Sequence, residues 1–175
     1  PHHAQELGIS MIYQEFNLSP FLSVAENIFL GREPRLGKTP FIDWPRMYRE
    51  AEEVLARIRV RLDVRQPVNE LSVAQQQMVE IAKALSVNAK IIVMDEPSAT
   101  LTEHEVAALF DLIKVLRGQG IGLIYISHRL EEIFEIGDRV TVMRDGQYVD
   151  TKPVGEVIRE DIIRMMVGRE LTEEF

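Results

Sequence analysis

Cysteine is absent from the 175 residues of this chain. Its absence excludes a disulfide framework, a thiolate metal site and a cysteine nucleophile, and it fits a reducing compartment. Long apolar runs are also missing, since none approaches the roughly 20 residues that a membrane-spanning helix needs. Basic residues are the minority, with 20 Lys and Arg against 28 Asp and Glu and a formal net charge of -8. This balance argues against bulk affinity for nucleic-acid phosphates or an anionic membrane, although a local basic patch stays open, and nucleic acid is not an expected partner.

A phosphate-binding loop is missing from the sequence as well. The pattern G-x-x-x-x-G-K-[ST] is approached only by the Gly-Lys-Thr of residues 37–39, and the upstream glycine, Gly31, lies one residue too far away. No strand precedes this stretch, and Pro40 disfavours a helical Thr39, whereas the motif runs directly into a helix. Residues 31–43 are therefore expected to form a loop.

The first half of the chain predicts one strand and then helices. Residues 8–13 predict a short buried strand, and a helical portion follows over about 17–88. A capping box of Ser23 and Glu26 opens its first helix. Two amphipathic helices follow, with apolar residues at helical spacing. These residues are Tyr48, Ala51, Leu55 and Ile58 on one helix, and Met78, Ile81, Ala82 and Leu85 on the other.

The second half predicts an α/β arrangement. The apolar run 91–94 is typical of a central parallel strand buried on both faces, and 121–126 predicts a second buried strand. A capping box of Thr102 and Glu105 starts the helix that joins them into a βαβ unit. Further on, residues 139–150 predict a hairpin with an Asp-Gly turn, and a final helix is expected over about 156–167.

Polar side chains follow three of the predicted strands. Gln14 ends the first strand, Asp95 and Glu96 leave the central one, and His128 follows the next. Ligands of open α/β sheets bind beyond the carboxyl ends of the strands, so these groups are expected to converge on one edge. The acidic pair suits phosphoryl transfer, and the histidine can donate to a γ-phosphate oxygen. A solvated strand end and a structural histidine are the alternatives.

Residues 71–77, Leu-Ser-Val-Ala-Gln-Gln-Gln, form the most distinctive local string. They place Ser72 and several backbone N–H groups at the N-terminus of a helix, where the helix dipole favours a phosphate. The structural alternative is an ordinary N-cap serine.

Together and in this order, these strings resemble the ATP-binding cassette of ABC transporters. Residues 12–15 resemble the Q-loop, 71–77 the signature motif, 91–97 the Walker B segment and 127–128 the H-loop. Other strings resemble the first of the two cassettes in bacterial monosaccharide importers of the ribose, galactose and xylose type. Those strings are residues 22–32, 77–83, 125–129, 134–136 and 165–171.

The resemblance implies an α/β fold, a partial P-loop NTPase with a mostly parallel sheet and an inserted helical subdomain. Residues 1–175 are then one incomplete domain. Its parts are a helical subdomain over about 17–88, an α/β core over about 1–16 and 89–152, and a C-terminal helix and tail over 153–175. The implied function is ATP hydrolysis that energises monosaccharide import, by a peripheral subunit at the cytoplasmic face of the bacterial inner membrane. The implied partners are transmembrane permease subunits, a second ATPase cassette and a periplasmic sugar-binding protein.

The resemblance also assigns roles to single residues. The implied cofactors are ATP and Mg²⁺, with Asp95 and Gln14 as metal ligands. Glu96 is the implied general base, and His128 contacts the γ-phosphate. The first turn after the signature serine meets the ATP of the opposing cassette. Its residues are Ser72, Val73, Ala74 and Gln75.

Three departures from the family pattern favour other interpretations. The missing phosphate-binding loop predicts an N-terminally truncated chain that is inactive alone. Val73 and Ala74 stand where the signature has two glycines, and a β-branched residue restricts close approach of the backbone to phosphate. Thr102 stands where the D-loop usually has aspartate. One alternative is a catalytically degenerate cassette that docks a permease or regulator. Another is a soluble cassette ATPase of DNA repair or translation, which the acidic charge opposes.

Overall fold

The computed structural model describes residues 2–168, and the chain divides into two compact units, Pro1–Ile126 and Ser127–Phe175. The predicted subdivision at about residues 17, 89 and 153 follows different boundaries and stays a prediction. Among the described residues, no helix is both long and apolar enough to span a membrane.

A three-stranded parallel sheet forms the centre of the first unit. Its strands, in spatial order, are β1 (Ile9–Ile12), β2 (Ile91–Asp95) and β3 (Gly122–Ile126). The register pairs Ile12 with Met94 and Asp95 with Ile126, so the carboxyl ends of the strands lie along one edge. The prediction of an α/β fold with a mostly parallel sheet is confirmed.

The helices of the first unit come before and between these strands. Helix α1 (His2–Glu6) precedes β1, and its five residues carry no apolar stripe from which it could have been predicted. Three helices lie between β1 and β2. They are α2 (Val24–Phe29), α3 (Trp44–Arg57) and α4 (Val73–Leu85), with a short 3-10 helix at Val68–Glu70 before α4.

Local sequence explains where these helices begin. Ser23 and Glu26 form the predicted capping box of α2, and Pro45 lies in the first turn of α3. α2 packs against α3 and α4, and α4 also packs against β1. The predicted apolar faces are confirmed except at Tyr48, which is half-buried because Met47 takes the core position. The helices thus share one hydrophobic core with the sheet.

Helix α5 (Glu103–Gly118) makes the crossover from β2 to β3. Thr102 and Glu105 form both hydrogen bonds of the predicted capping box, which satisfies N–H groups that have no partner inside the helix. The inward face of α5 is buried. Its buried residues are Val106, Leu109, Phe110, Leu112, Ile113 and Leu116.

The prediction that the strands are buried on both faces is wrong. Ile92 and Met94 are fully buried, but Ile91 is 37% exposed, and Ile124 and Ile126 are 53% and 44% exposed. Successive strand residues point to opposite faces of a sheet. The two crossovers run in the same direction along the sheet, and right-handed connections then place their helices on one face. Within this unit, the other face carries the exposed apolar side chains.

The second unit is a β-hairpin with two helices. Helix α6 (Leu130–Ile136) leads into β4 (Arg139–Arg144) and β5 (Gln147–Pro153), and α7 (Arg159–Val167) follows a 3-10 turn at Val154–Glu156. The predicted Asp-Gly turn is confirmed, with positive φ at both residues as a two-residue hairpin turn requires. A small core holds the unit together. Its residues are Val140, Val142, Val154, Val157 and Ile162.

The last predicted helix begins later than expected. Residues 154–156 form the 3-10 turn, and Ile158 is extended, with its N–H donating to the Asp161 carboxylate at 3.1 Å. α7 therefore starts at Arg159, where this carboxylate meets the first turn. The importer-like string over residues 165–171 continues beyond residue 168, and that part lies outside the described residues.

Candidate functional site

The structure brings Gln14 and Glu96 together at the carboxyl edge of the sheet. β1 and β2 are parallel neighbours that end at Ile12 and Asp95, so the residues that follow them emerge on the same side. The Nε2 group of Gln14 donates to the Oε2 atom of Glu96 at 3.3 Å, across 82 positions of sequence. An uncharged donor and a carboxylate thus meet where an α/β sheet binds its ligands.

The backbone at Glu96 is strained. Its φ angle is +45°, in the left-handed region that a residue with a Cβ atom seldom adopts. The Glu96 N–H donates to the carbonyl of Ile126 at 3.0 Å, which anchors this conformation to the end of β3. Residues held this way cost of order 1–3 kcal/mol and are concentrated at active sites and ligand clamps. The strain therefore supports a functional role for Glu96.

Asp95 is the last residue of β2 and is half-buried. Within residues 2–168, no cluster of three or more His, Cys, Asp or Glu side chains forms a ready-made metal cage. Mg²⁺ does not need such a cage, because it commonly binds one or two carboxylates together with substrate phosphates and water. A single carboxylate at the sheet edge, with Gln14 just beyond the end of the neighbouring strand β1, fits a metal that arrives with a nucleotide.

Ser72 is the N-cap of α4. Its Oγ atom accepts from the Gln75 N–H at 3.3 Å, and its own N–H donates to the Gln75 side chain at 2.9 Å. Ser72 therefore acts as an ordinary N-cap serine, which was the structural alternative to a phosphate site. The N–H groups of Val73 and Ala74 belong to the first turn and have no carbonyl partner within the helix. Val73 is 40% exposed, so this turn is accessible from solvent.

His128 belongs to the second unit and is exposed. Its two sequence neighbours are held by one buried carboxylate, that of Glu132. Ser127 Oγ donates to Glu132 Oε2 at 2.7 Å, and the Arg129 guanidinium lies 3.2 Å from Oε1. The Arg129 N–H donates in turn to Ser127 Oγ at 3.0 Å. The backbone on both sides of the imidazole is therefore fixed to α6.

Two buried carboxylates, Glu80 and Glu132, were missed by sequence reasoning. They are 6% and 2% exposed. A signal exists for each: Glu80 lies between buried apolar residues of α4, and Glu132 precedes buried Ile136 by four positions, on the same helical face. A charged residue on the buried face of a helix indicates a partner across the packing interface.

Residues 1–99 match the family model described as ABC transporter. The chain belongs to the ABC transporter family. It is 51% identical, over its whole length, to the ribose import ATP-binding protein RbsA of Geobacillus kaustophilus. It is 53% identical, also over its whole length, to a putative ribose/galactose/methyl galactoside import ATP-binding protein of Burkholderia lata. These are the kinds of importer that the sequence strings resembled.

The fold agrees with this membership. A crystal structure of an ATP-binding cassette of an ABC transporter, in its ADP conformation, superposes with a TM-score of 0.77. The match covers 97% of this chain and 72% of the other at 24% sequence identity. The chain spans about a third of the length of the two import proteins, 35% of the first and 34% of the second.

Proposed function

We propose that this chain is the first-cassette region of an ATP-hydrolysing subunit that energises monosaccharide import across the bacterial inner membrane. The observation that carries the proposal is the contact between Gln14 and Glu96 at the carboxyl edge of the parallel sheet. Its supports are the membership of the family and the names of two relatives that match along the whole chain.

In the proposed reaction, Glu96 acts as the general base. Its carboxylate takes a proton from water while the water oxygen bonds to the γ-phosphorus of ATP, and the bond from that phosphorus to the bridging oxygen of ADP breaks. Gln14 holds the Glu96 carboxylate in place, and His128 donates to a γ-phosphate oxygen. Asp95 and Gln14 would hold Mg²⁺, which would neutralise phosphate charge.

The first turn of α4 serves a different nucleotide in this proposal. Ser72, Val73, Ala74 and Gln75 face the ATP of a second cassette. The partners are permease subunits and a periplasmic sugar-binding protein, and the location is the cytoplasmic face of the membrane. The importer-like names of the relatives support this assembly.

A catalytically degenerate docking cassette is the second candidate. It is favoured by the exposed Val73 side chain at the first turn of α4, because a β-branched residue there limits how closely a phosphate approaches the amides. ATP turnover distinguishes the two candidates.

The test compares ATP hydrolysis by this chain with that by a longer form, extended at the N-terminus through a phosphate-binding loop. We expect turnover only in the longer form. There, Glu96→Gln lowers kcat by about 100-fold or more because the general base is lost, while ATP still binds. Glu103→Gln, the same change on the exposed start of α5, is the control and leaves kcat unchanged. A longer form that binds ATP without turnover establishes the degenerate cassette instead.

A further inference from the structure

Two charged side chains of helix α4 form hydrogen bonds with the main chain of Asn17. The Asn17 N–H donates to Oε1 of Glu80 at 2.6 Å, and Nζ of Lys83 donates to the Asn17 carbonyl at 2.8 Å. Glu80 and Lys83 are three residues apart and so lie on the same side of the helix. One face of α4 therefore holds both the N–H and the carbonyl group of Asn17.

The segment after Asn17 is fixed as well. Asn27 of α2 is fully buried, and its Oδ1 atom accepts from the Ser19 N–H at 2.7 Å. Its Nδ2 group donates to the carbonyls of Ser19 at 3.0 Å and Leu22 at 3.1 Å. The Asn69 N–H donates to the Pro20 carbonyl at 2.9 Å. Between residues 17 and 22, the main chain is thus hydrogen-bonded at several points to the helical part of the unit.

Gln14 lies in the short link between two fixed points. β1 ends at Ile12, where the sheet holds the chain, and the hydrogen bonds to α4 begin at Asn17. Only residues 13–16 lie between them, and Gln14 reaches Glu96 from this link. The position of the second fixed point therefore limits where the Gln14 amide can be placed.

We propose that Glu80 and Lys83 form a clamp on Asn17 that positions Gln14 against Glu96. Neither side chain touches reacting atoms, so both are positioning residues, and their catalytic meaning rests on the proposed function. The helix that carries them begins next to Ser72. The clamp therefore ties the Gln14 link to the helix whose first turn is assigned to the second nucleotide. A shift of α4 moves the Asn17 end of the link with it.

The chemistry of Glu80 supports a positioning role over simple stabilisation. Burial raises the pKa of Glu80, with Lys83 and the Asn17 N–H opposing the rise. A buried carboxylate at this place is costly, and a well-packed apolar residue would avoid that cost. What an apolar residue cannot do is hold the Asn17 N–H.

The absence of cysteine permits a direct test in the full chain. A nitroxide label on Glu15→Cys, beside Gln14, reports the motion of the link, and a label on Glu53→Cys of α3 is the reference; both native residues are exposed. We expect Lys83→Met and Glu80→Ala each to shorten the correlation time of the label at 15 by roughly two-fold or more. The label at 53 stays unchanged. Lys83→Arg keeps a donor and retains the wild-type spectrum at 15.

Lys38→Met removes the same charge from the loop before α3 and is the matched control, with no expected effect at residue 15. An unchanged spectrum at 15 in folded Lys83→Met overturns the clamp. Equal loosening at 15 and 53 also overturns it, because the effect is then general.

Turnover provides a separate measurement in the longer form of the protein. There we expect Lys83→Met to lower kcat with the KM for ATP within about two-fold, because misplacement of the general base slows the chemical step and leaves ATP binding unchanged. Absence of any turnover contradicts the proposed function. The label spectra test the clamp separately, because they are recorded without nucleotide.

Discussion

Among single residues, two buried carboxylates, one in each unit, hold main-chain segments next to residues that the proposed function uses. Glu80 holds the main chain beyond Gln14, and Glu132 holds the residues on both sides of His128. A carboxylate with several acceptor positions can fix a loop more tightly than a neutral side chain, because hydrogen bonds to charged groups are the stronger ones. Glu80 is expected to make the free energy of unfolding depend on pH, and loss of Glu132 is expected to lower it.

The stability contribution of Glu80 depends on pH. Burial, the dominant cause, raises its pKa above the ordinary value of 4.5. The folded chain then holds this proton more tightly than the unfolded chain, so the free energy of unfolding falls as pH rises from 4.5 through the raised pKa. Urea unfolding of wild type and Glu80→Gln across this window checks the sign. We expect the wild type to lose stability relative to the variant as pH rises. A difference that is constant with pH contradicts the assignment.

Removal of the Glu132 carboxylate is expected to destabilise the second unit. Glu132→Ala leaves the Ser127 hydroxyl without its acceptor and removes the ion pair with the Arg129 guanidinium, at a cost of about 1–3 kcal/mol in the free energy of unfolding. Glu132→Gln keeps an acceptor and is expected to lose less. Urea denaturation measures both, and Glu160→Ala on exposed α7 is the control. Equal losses at positions 132 and 160 are the result that refutes this role.

At the level of elements, local capping and turn signals set most helix starts and the hairpin. The capping boxes of α2, α4 and α5 each close with both hydrogen bonds present. Such signals act within three residues, so the surrounding fold does not need to be known. Burial of the strands is different, because it depends on which face the crossover helices cover.

The N-cap of α5 provides a test at this scale. Thr102→Ala removes the hydroxyl that accepts from the Glu105 N–H, and we expect the free energy of unfolding to fall by about 1 kcal/mol. Thr100→Ala, a nearby threonine that is not at a helix N-terminus, is the control and is expected to change little. Thermal unfolding followed by circular dichroism compares the two variants. If Thr102→Ala is no less stable than Thr100→Ala, the cap contributes nothing.

For the whole molecule, the acidic balance is the strongest constraint on partners. A formal net charge of -8 opposes bulk attraction to a polyanion.

We therefore expect no binding of the chain to duplex or single-stranded DNA. Fluorescence anisotropy at about 0.15 M salt is expected to give a Kd weaker than about 10⁻⁴ M. A basic protein of similar size is the positive control. Salt-sensitive binding in the micromolar range favours a cassette of the DNA-repair type over the importer.

The sequence by itself determined the family, the α/β class, the order of the motifs and most helix starts. These features follow from residues that are close together in sequence, through apolar periodicity, helix caps and turn residues. Tertiary structure alone decided that one face of the sheet is exposed, because the direction of the crossovers sets which face the helices cover. It also decided that Asn17 is held by Glu80 and Lys83, and that Glu132 holds the residues beside His128. Periodicity marks the buried side of a helix, but only packing of the chain decides which main-chain groups meet that side.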